Sequence, residues 1–589
     1  MEIALVIGIL ACAMVLFARE IFPVDVVTVL VLLALIFSGI LTPQEAFAGF
    51  GSDIIIILAC VFIITGALRE SGVVDWLAEI LGKISRGGER TFLVSMMAAV
   101  SALSAFMNNT TVTAILLTPI SGLARKNKWS PSKLLMPLSF ASILGGTCTL
   151  IGTSTNMAVR GYLEAAGLPP LRFFELLPVG IVIVIVGILY MVFFGQKLLP
   201  ANPVGEDLTS DYGLREYLSE IVIEKDSPLA GQTLRTCDLG TLGFRVLKVL
   251  RDKRPKLPRP ALKLMEGDVL VINGPVESLM KVRETEGISM RADVKFTDKD
   301  LKADDLEILE MLVTPYSSLR GQQISSLDLP ARFGVIVLAL NRHGHRLREK
   351  IKSLHLDTGD VLLLQGPRDS MESLQKSPNF ATFGTINPSG HRDAKGLYVL
   401  GFLGLAILLS GVGFVPLSAA LLTAAMATVL TRCIPIHKVY ESVEWRLLVL
   451  IAGMTAFGLA MKKSGAADWL AQLIVGGLEP FGGVVIMTGF VIVTVLLTQP
   501  MSNAAAALVM LPIALSAAER LDLNSRSFAV AVTLAASVAL IAPFEPSSRL
   551  VYGPGKYRFF DFIKVGGLLT FLLMIVIVAL VPVFWPLHP

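Results

Sequence analysis

The chain has 589 residues, 53% of them hydrophobic and 17% charged, with a net charge of +4. Soluble proteins carry about 25% charged residues, so this composition excludes an ordinary water-soluble globule. Its five cysteines are scattered with no C-x-x-C pair, which argues against a disulfide framework or a zinc site.

Residues 2–18 form the first apolar run, and with no small-residue cleavage site after it the run reads as a span rather than a removed leader. Further runs lie at roughly 24–41, 53–68, 93–124, 134–151 and 177–196. Residues 197–392 hold most of the charge and read as a soluble insert. Apolar runs resume at roughly 397–412, 416–431, 447–461, 483–518, 527–544 and 565–586. Repeated runs near 20 residues indicate a polytopic α-helical membrane protein.

Two of these runs are interrupted. Asn108, Asn109, Thr110 and Thr111 split 93–124, and Ser502 and Asn503 split 483–518. Each interruption follows a Met and precedes an apolar helix containing Pro-Ile. They are expected to be the tips of two re-entrant hairpins meeting near the middle of the membrane.

The two membrane halves are related. Ser71-Gly72-x-x-Asp75-Trp76-Leu77-Ala78 matches Ser464-Gly465-x-x-Asp468-Trp469-Leu470-Ala471 at an offset of 393 (464 − 71). Pro119-Ile120 matches Pro512-Ile513 at the same offset, and Arg172-Phe173-Phe174 matches Arg558-Phe559-Phe560 at 386 (558 − 172). Each half therefore reads as five crossings plus a hairpin, and an odd number of crossings sets the halves in opposite orientations as inverted repeats. Lys and Arg concentrate in the loops that would be internal if both termini lay outside, which puts 197–392 in the cytoplasm. The SGxxDWLA segments read as amphipathic interfacial helices, arms linking a moving part to a fixed one, or simply connecting helices.

The insert is itself a tandem repeat. Ser227-x-Leu229-x-Gly231 matches Ser317-x-Leu319-x-Gly321, and Gly267-Asp268 matches Gly359-Asp360, at offsets of 90 and 92 (317 − 227 and 359 − 267). Short β-rich runs separated by Gly-Asp turns fill each copy, so an α+β module is expected twice, over 213–295 and 300–385, after a linker at 197–212. Each copy resembles the TrkA-C type, the C-terminal domain of regulators of potassium conductance. That resemblance implies either a dimerisation scaffold or a sensor of a small cytoplasmic ligand. The G-x-G-x-x-G turn of a nicotinamide-binding partner domain is missing from the chain, so no organic cofactor is expected.

Broken helices expose amide N–H groups at one half-helix and carbonyls at the other, which suit an anion and a cation respectively. Asn and Thr add neutral oxygens without burying charge. The tip at 108–111 fits, and so does Gly145-Gly146-Thr147-Cys148-Thr149-Leu150-Ile151-Gly152-Thr153-Ser154-Thr155-Asn156. One such Asn alone would read as an interhelical hydrogen-bond partner, and one Gly pair as a packing contact. Their recurrence in equivalent places of two halves favours a binding site.

These motifs, with the terminal VYGPGKYRFFDFIKVG, resemble the divalent anion/sodium symporter family, and within it the sulfate-permease-like members that carry paired TrkA-C domains between two membrane halves. The resemblance covers essentially the whole chain, with membrane repeats over 1–196 and 393–589. It implies a homodimeric, elevator-type carrier in the inner (plasma) membrane. Such a carrier would use Na⁺ to drive uptake of sulfate or a dicarboxylate, with no nucleic-acid partner. Carried onto this chain, it puts the anion near Asn108, Asn109, Thr110, Ser502 and Asn503. Na⁺ would lie near Asn109, Thr147, Gly152, Thr153, Asn156 and Ser502.

The second half departs from the family's pattern. Where a Gly-Thr-x-x-Asn motif is expected, the chain reads Glu545-Pro546-Ser547-Ser548-Arg549, and Ala504 follows Asn503. Arg549 is suited to an oxyanion. Alternatively it pairs with Glu545 in the vacated cation site, with Glu545 as a titrating coupling residue, or both lie on an inner-loop surface. The competing readings are a proton-coupled anion carrier, a Na⁺/H⁺ or arsenite-type transporter, and a ligand-gated ion channel. The antiporter would need a buried Asp pair in the hairpins, the channel needs a selectivity-filter loop, and neither is present in the sequence. No catalytic constellation supports an enzyme.

Overall fold

The computed structural model describes residues 2–19, 22–71, 80–201 and 395–588 and, in segments, 218–382. The chain divides into two compact units, one of Met1–Asn127, Pro131–Ala201 and Ile386–Pro589 and the other of Lys128–Ser130 and Asn202–Thr385.

The first unit is helical. Its first half contains α1 (Glu2–Arg19), α2 (Val24–Phe37), α3 (Pro43–Phe47), α4 (Asp53–Glu70), α5 (Glu89–Ser104), α6 (Asn109–Lys126), α7 (Ser132–Gly145), α8 (Ser154–Ala165) and α9 (Leu177–Tyr190). Its second half contains α10 (Lys395–Gly411), α11 (Leu417–Leu430), α12 (Ile436–Ser442), α13 (Trp445–Lys463), α14 (Ala466–Val475), α15 (Gly483–Leu497), α16 (Asn503–Arg520), α17 (Ser525–Ser537), α18 (Pro546–Tyr552) and α19 (Phe559–Phe584). Helix starts recur at a near-constant spacing: α2 and α11 differ by 393 (417 − 24), α6 and α16 by 394 (503 − 109), α8 and α18 by 392 (546 − 154).

Among the described residues five helical stretches are long and apolar enough to cross a membrane: Glu2–Arg19, Pro43–Glu70, Leu177–Leu198, Trp445–Lys463 and Phe559–Phe584. At about 1.5 Å per residue, 20 residues cover the ~30 Å hydrocarbon thickness. Prolines set several starts: Pro43 opens α3 behind a Thr42–Glu45 capping box, and Pro178 lies in the first turn of α9. Beyond α9 the helix passes through one π-helical turn, Met191–Gly195, before ending at Leu198.

Interruptions fall at the polar clusters. Residues 105–108 separate α5 from α6 and residues 498–502 separate α15 from α16. The runs 134–151 and 527–544 are not continuous helices, because α7 stops at Gly145 and α17 at Ser537. Residues 72–79, most of the first SGxxDWLA segment, lie outside the described residues. The second copy forms α14, entered through Gly465 in the left-handed region (φ +74°), with Asp468 accepting a hydrogen bond from Ser516.

The second unit contains two five-stranded antiparallel sheets. The first is built from β1 (Leu218–Ile223), β2 (Arg245–Arg251), β3 (Arg254–Lys256), β4 (Val269–Asn273) and β5 (Ile288–Arg291), in the order β3-β2-β4-β1-β5. The second is built from β6 (Leu306–Val313), β7 (Ile336–Arg342), β8 (His345–Arg346), β9 (Val361–Pro367) and β10 (Phe380–Thr382), in the order β8-β7-β9-β6-β10. The two orders are the same topology. Gly267 and Gly359 take φ of +83° and +87° in the turns that lead into β4 and β9. In each copy an arginine of the second strand grips the aspartate of that turn: Arg251 donates to Asp268 with two nitrogens at 2.8 Å, and Arg342 donates to Asp360 at 2.8 and 2.7 Å. Buried Leu, Ile and Val from the strands form a separate core in each sheet.

Candidate functional site in the broken helices

Helix α5 lies against α7 through small residues. A Cβ on Gly145 would stand 2.3 Å from the Ser101 carbonyl oxygen, so only glycine permits that approach. Ser101 donates to the Ala141 carbonyl at 2.9 Å and Ser104 to the Ser142 carbonyl at 2.7 Å. These serines, three apart on one helix face, satisfy their hydroxyls on the neighbouring helix, as a low-dielectric setting requires.

The break after α5 puts Asn108 at the cap of α6, where its side-chain oxygen accepts the Thr110 N–H at 2.9 Å. Thr110 is half-buried. Asn109 turns inward and is 7% exposed. Its amide sits 2.9 Å from Ser104 Oγ, 3.0 Å from the Ser142 carbonyl and 3.2 Å from the Gly152 carbonyl. With nitrogen turned toward these oxygens the amide donates to them. With the oxygen turned toward them the four oxygens converge without a hydrogen between them, and a cation would then take the place of the amide hydrogens.

The second break, between α7 and α8, closes on itself. A Cβ on Gly152 would stand 2.6 Å from the Gly146 carbonyl oxygen, and one on Gly146 would stand 2.7 Å from Asn109 Oδ1. Asn156, fully buried, donates to the Gly146 carbonyl at 3.0 Å and the Thr149 carbonyl at 2.8 Å. Thr149 in turn donates to the Ala105 carbonyl, which joins this break to the first. Thr153 caps α8, accepting the Thr155 N–H at 3.4 Å. The Thr155 hydroxyl is buried with no hydrogen-bond partner among the described residues. Thr147 is differently placed: its hydroxyl donates to the Leu144 carbonyl at 2.7 Å, and its backbone is packed against Gly180 of α9.

The two halves exchange their broken helices. Helix α8 of the first half packs on α16 and α17 of the second, and α18 of the second packs on α6 and α7 of the first. Ser537 donates to the Asn156 side-chain oxygen at 3.3 Å across 381 positions, and the Ser139 and Ser548 hydroxyls share a hydrogen bond at 3.1 Å across 409.

Glu545 caps α18. One of its oxygens accepts the Ser547 N–H at 2.7 Å, the Ser548 N–H at 3.3 Å and the Ser547 hydroxyl. The Arg549 guanidinium carbon lies 6.0 Å from the centroid of the Phe544 ring. Ser502 caps α16 and accepts the Ala505 N–H at 3.4 Å, while Asn503 is the first, half-buried residue of that helix and Ala504 is buried.

Several residues of this site carry little signal in the sequence. Ser104, Ser139, Ser142, Thr155 and Ser537 read as ordinary small polar residues in apolar helices. Only the i, i+3 spacing of Ser101/Ser104 and of Ser139/Ser142 hints at a shared face. Glu444, at the cap of α13, is within 3.5 Å of the Asn108 amide nitrogen, the long limit of a hydrogen bond. Among the described residues no group of three or more His, Cys, Asp or Glu side chains could hold a metal ion. A cation here would rest on neutral carbonyl, amide and hydroxyl oxygens.

Apolar helices of membrane-spanning length, packed with shorter apolar helices that break at buried polar residues, mark a polytopic membrane transporter. The chain belongs to the family described as CitMHS, citrate transporter, whose model matches residues 14–539. It is 32% identical to the uncharacterized transporter sll0640 of Synechocystis sp., over 100% of this chain and 98% of that one. It is 31% identical to the uncharacterized transporter YfbS of Escherichia coli, over 99% of each. It is also 29% identical to sodium/sulfate cotransporter 2 of Chlamydomonas reinhardtii, over 57% of this chain and 40% of that one.

Proposed function

We propose that this transporter is a Na⁺-coupled symporter for a small divalent anion, sulfate ahead of a dicarboxylate. The observation that carries the proposal is the convergence of Ser104, Ser142 and Gly152 oxygens on the Asn109 side chain at 2.9–3.2 Å. Neutral oxygens gathered around one amide can serve a monovalent cation when Asn109 presents its oxygen, and the relative named for sodium and sulfate supports that choice of ions. The family description names citrate, so a carboxylate substrate stands as the second choice.

The N-terminal turns of α6 and α8, the positive ends of their helix dipoles, lie beside the cation site and favour an anion there. Asn108, Thr110, Ser502, Asn503 and Arg549 are assigned to the anion. Asn109, Thr147, Gly152, Thr153, Asn156 and Ser502 are assigned to Na⁺, with Thr147 acting through its place in the loop. Binding Na⁺ first would add positive charge next to the anion position and so strengthen anion binding, which is coupling in its simplest form. The halves are proposed to be inverted repeats that carry the site across the inner membrane by an elevator motion within a homodimer. The insert is proposed to be cytoplasmic, a TrkA-C-like pair for assembly or for sensing a small ligand.

One observation favours a second coupling mode. Glu545 occupies the position where a neutral cation site is expected, and proton transfer there would make the carrier proton-coupled. Uptake of labelled sulfate, succinate and citrate into proteoliposomes, under a Na⁺ gradient, a pH gradient or neither, tests both modes. Sulfate uptake driven by Na⁺ is expected. Uptake of none of the three under any gradient rejects the symporter. If Glu545→Gln leaves the ion and pH dependence unchanged, proton coupling through that residue is rejected.

A further inference from the structure

A cavity away from the transport site lies among the ends of three helices. It has a volume of about 560 Å³, and Glu89, Arg90, Lys133, Val192, Gln196 and Lys197 line it. Three cationic side chains face one carboxylate, a net charge of +2 (3 − 1). The N-terminus of α5, which begins at Glu89, adds its unpaired amides to the same end. Gln196 donates to the Lys133 carbonyl at 2.7 Å and so fixes the wall between α7 and the extension of α9. One Glu89 oxygen is buried and has no hydrogen-bond partner among the described residues. The Glu89 carboxylate lines the cavity, where its other oxygen can accept a hydrogen bond from a hydroxyl.

The helix that leads to this cavity is apolar on its outer side. Ile181, Ile185, Leu189 and Phe193, four residues apart, are 45–59% exposed, and the next residue in that series is Lys197 of the cavity. A ligand that fits the whole feature is amphiphilic, with an acyl chain along that series, a phosphate on the cations and a hydroxyl on Glu89.

We propose that this cavity binds the phosphoglycerol headgroup of an anionic phospholipid, with the phosphate held by Arg90, Lys133 and Lys197 and a glycerol hydroxyl donating to Glu89. Basic pockets between spanning helices recognise anionic headgroups in this way. The lining residues are separate from Asn109, Gly152 and Asn156, so the proposal stands independently of which anion is transported.

The test uses the full-length protein in nanodiscs of phosphatidylcholine alone or doped with phosphatidylglycerol or phosphatidic acid. Native mass spectrometry counts the retained lipid, and thermal unfolding reports stabilisation. The wild type is expected to retain phosphatidylglycerol over phosphatidylcholine by about tenfold or more. Arg90→Gln/Lys133→Gln/Lys197→Gln should abolish that preference. Glu89→Ala should keep the preference for anionic lipid and lose the preference for phosphatidylglycerol over phosphatidic acid. If the triple variant does not fold, Lys197→Glu alone, at an exposed position, should weaken retention. Retention unchanged in these variants overturns the proposal. So does equal stabilisation of the detergent-solubilised protein by inorganic phosphate alone, which would mark a free-anion site.

Discussion

The Asn156 amide donates to the Gly146 carbonyl at 3.0 Å and so ties the first turn of α8 to the residue that follows the end of α7. The same amide reaches the Thr149 carbonyl at 2.8 Å, so one side chain satisfies two carbonyls of the loop. Asn156→Ala leaves both unsatisfied in a buried position, at about 1–3 kcal/mol each. Loss of substrate uptake in proteoliposomes and a lowered unfolding temperature are expected together. Uptake at the wild-type rate would show that this loop does not shape the site.

Gly152→Ala tests the same loop sterically. The new Cβ would stand 2.6 Å from the Gly146 carbonyl oxygen, closer than backbone atoms allow, and the loop must shift at about 1–3 kcal/mol. On the proposed Na⁺ coupling, the Na⁺ concentration giving half-maximal uptake should rise at least about tenfold, the equivalent of 1.4 kcal/mol. Gly567→Ala, where a Cβ meets nothing within 4 Å, is the control and should leave it unchanged.

Arg526 and Glu175 join the halves by a forked ion pair. Arg526 Nε donates to Glu175 Oε1 at 2.7 Å and a second nitrogen donates to Oε2 at 2.5 Å. Both side chains are largely buried, so breaking the pair by Arg526→Gln should cost about 3 kcal/mol. A double-mutant cycle with Glu175→Gln, read by thermal unfolding, should recover part of that loss. Strictly additive effects would show that the two charges do not interact.

Asp268, in the turn that leads into β4, is an acid-sensitive point of the insert. Burial opposes its ionisation, but the hydrogen bonds from Arg251 and the Met265 amide outweigh that and hold its carboxyl below the ordinary value near 4. A carboxyl with a lowered folded-state pKa contributes stability above its unfolded pKa and loses it as pH falls through the folded value. Hydrogen exchange at the β4 amides should therefore accelerate as pH falls below about 4, after correction for the intrinsic rate. In Asp268→Asn the protection should be lower throughout and its acid-dependent loss reduced.

Much of the layout is legible along the chain. Asn108–Thr111 and Gly145–Asn156 mark helix ends because polar and glycine residues cannot continue an apolar helix cheaply. The 393-residue spacing of the SGxxDWLA segments anticipates the recurrence of helix starts at 392–394. The 90- and 92-residue offsets in the insert likewise anticipate two sheets of one topology. These are local signals, set by periodicity, turn chemistry and repetition.

The choice of partners is not local. That Arg251 grips Asp268, and Arg342 grips Asp360, follows from the pairing of β2 with β4 and of β7 with β9. That Ser104, Ser142 and Gly152 converge on Asn109 depends on the packing of α5 and α6 against α7, which no single segment encodes. Glu545 illustrates the division. Its place in the repeat is read from the sequence, but capping of its own helix by hydrogen bonds from Ser547 and Ser548 is a product of the folded backbone. The sequence by itself determined a polytopic helical membrane protein whose apolar runs are interrupted at polar clusters. Only the tertiary structure decided that α8 docks on α16 and α17 and α18 on α6 and α7, because that exchange is set by side-chain fit between segments nearly 400 residues apart.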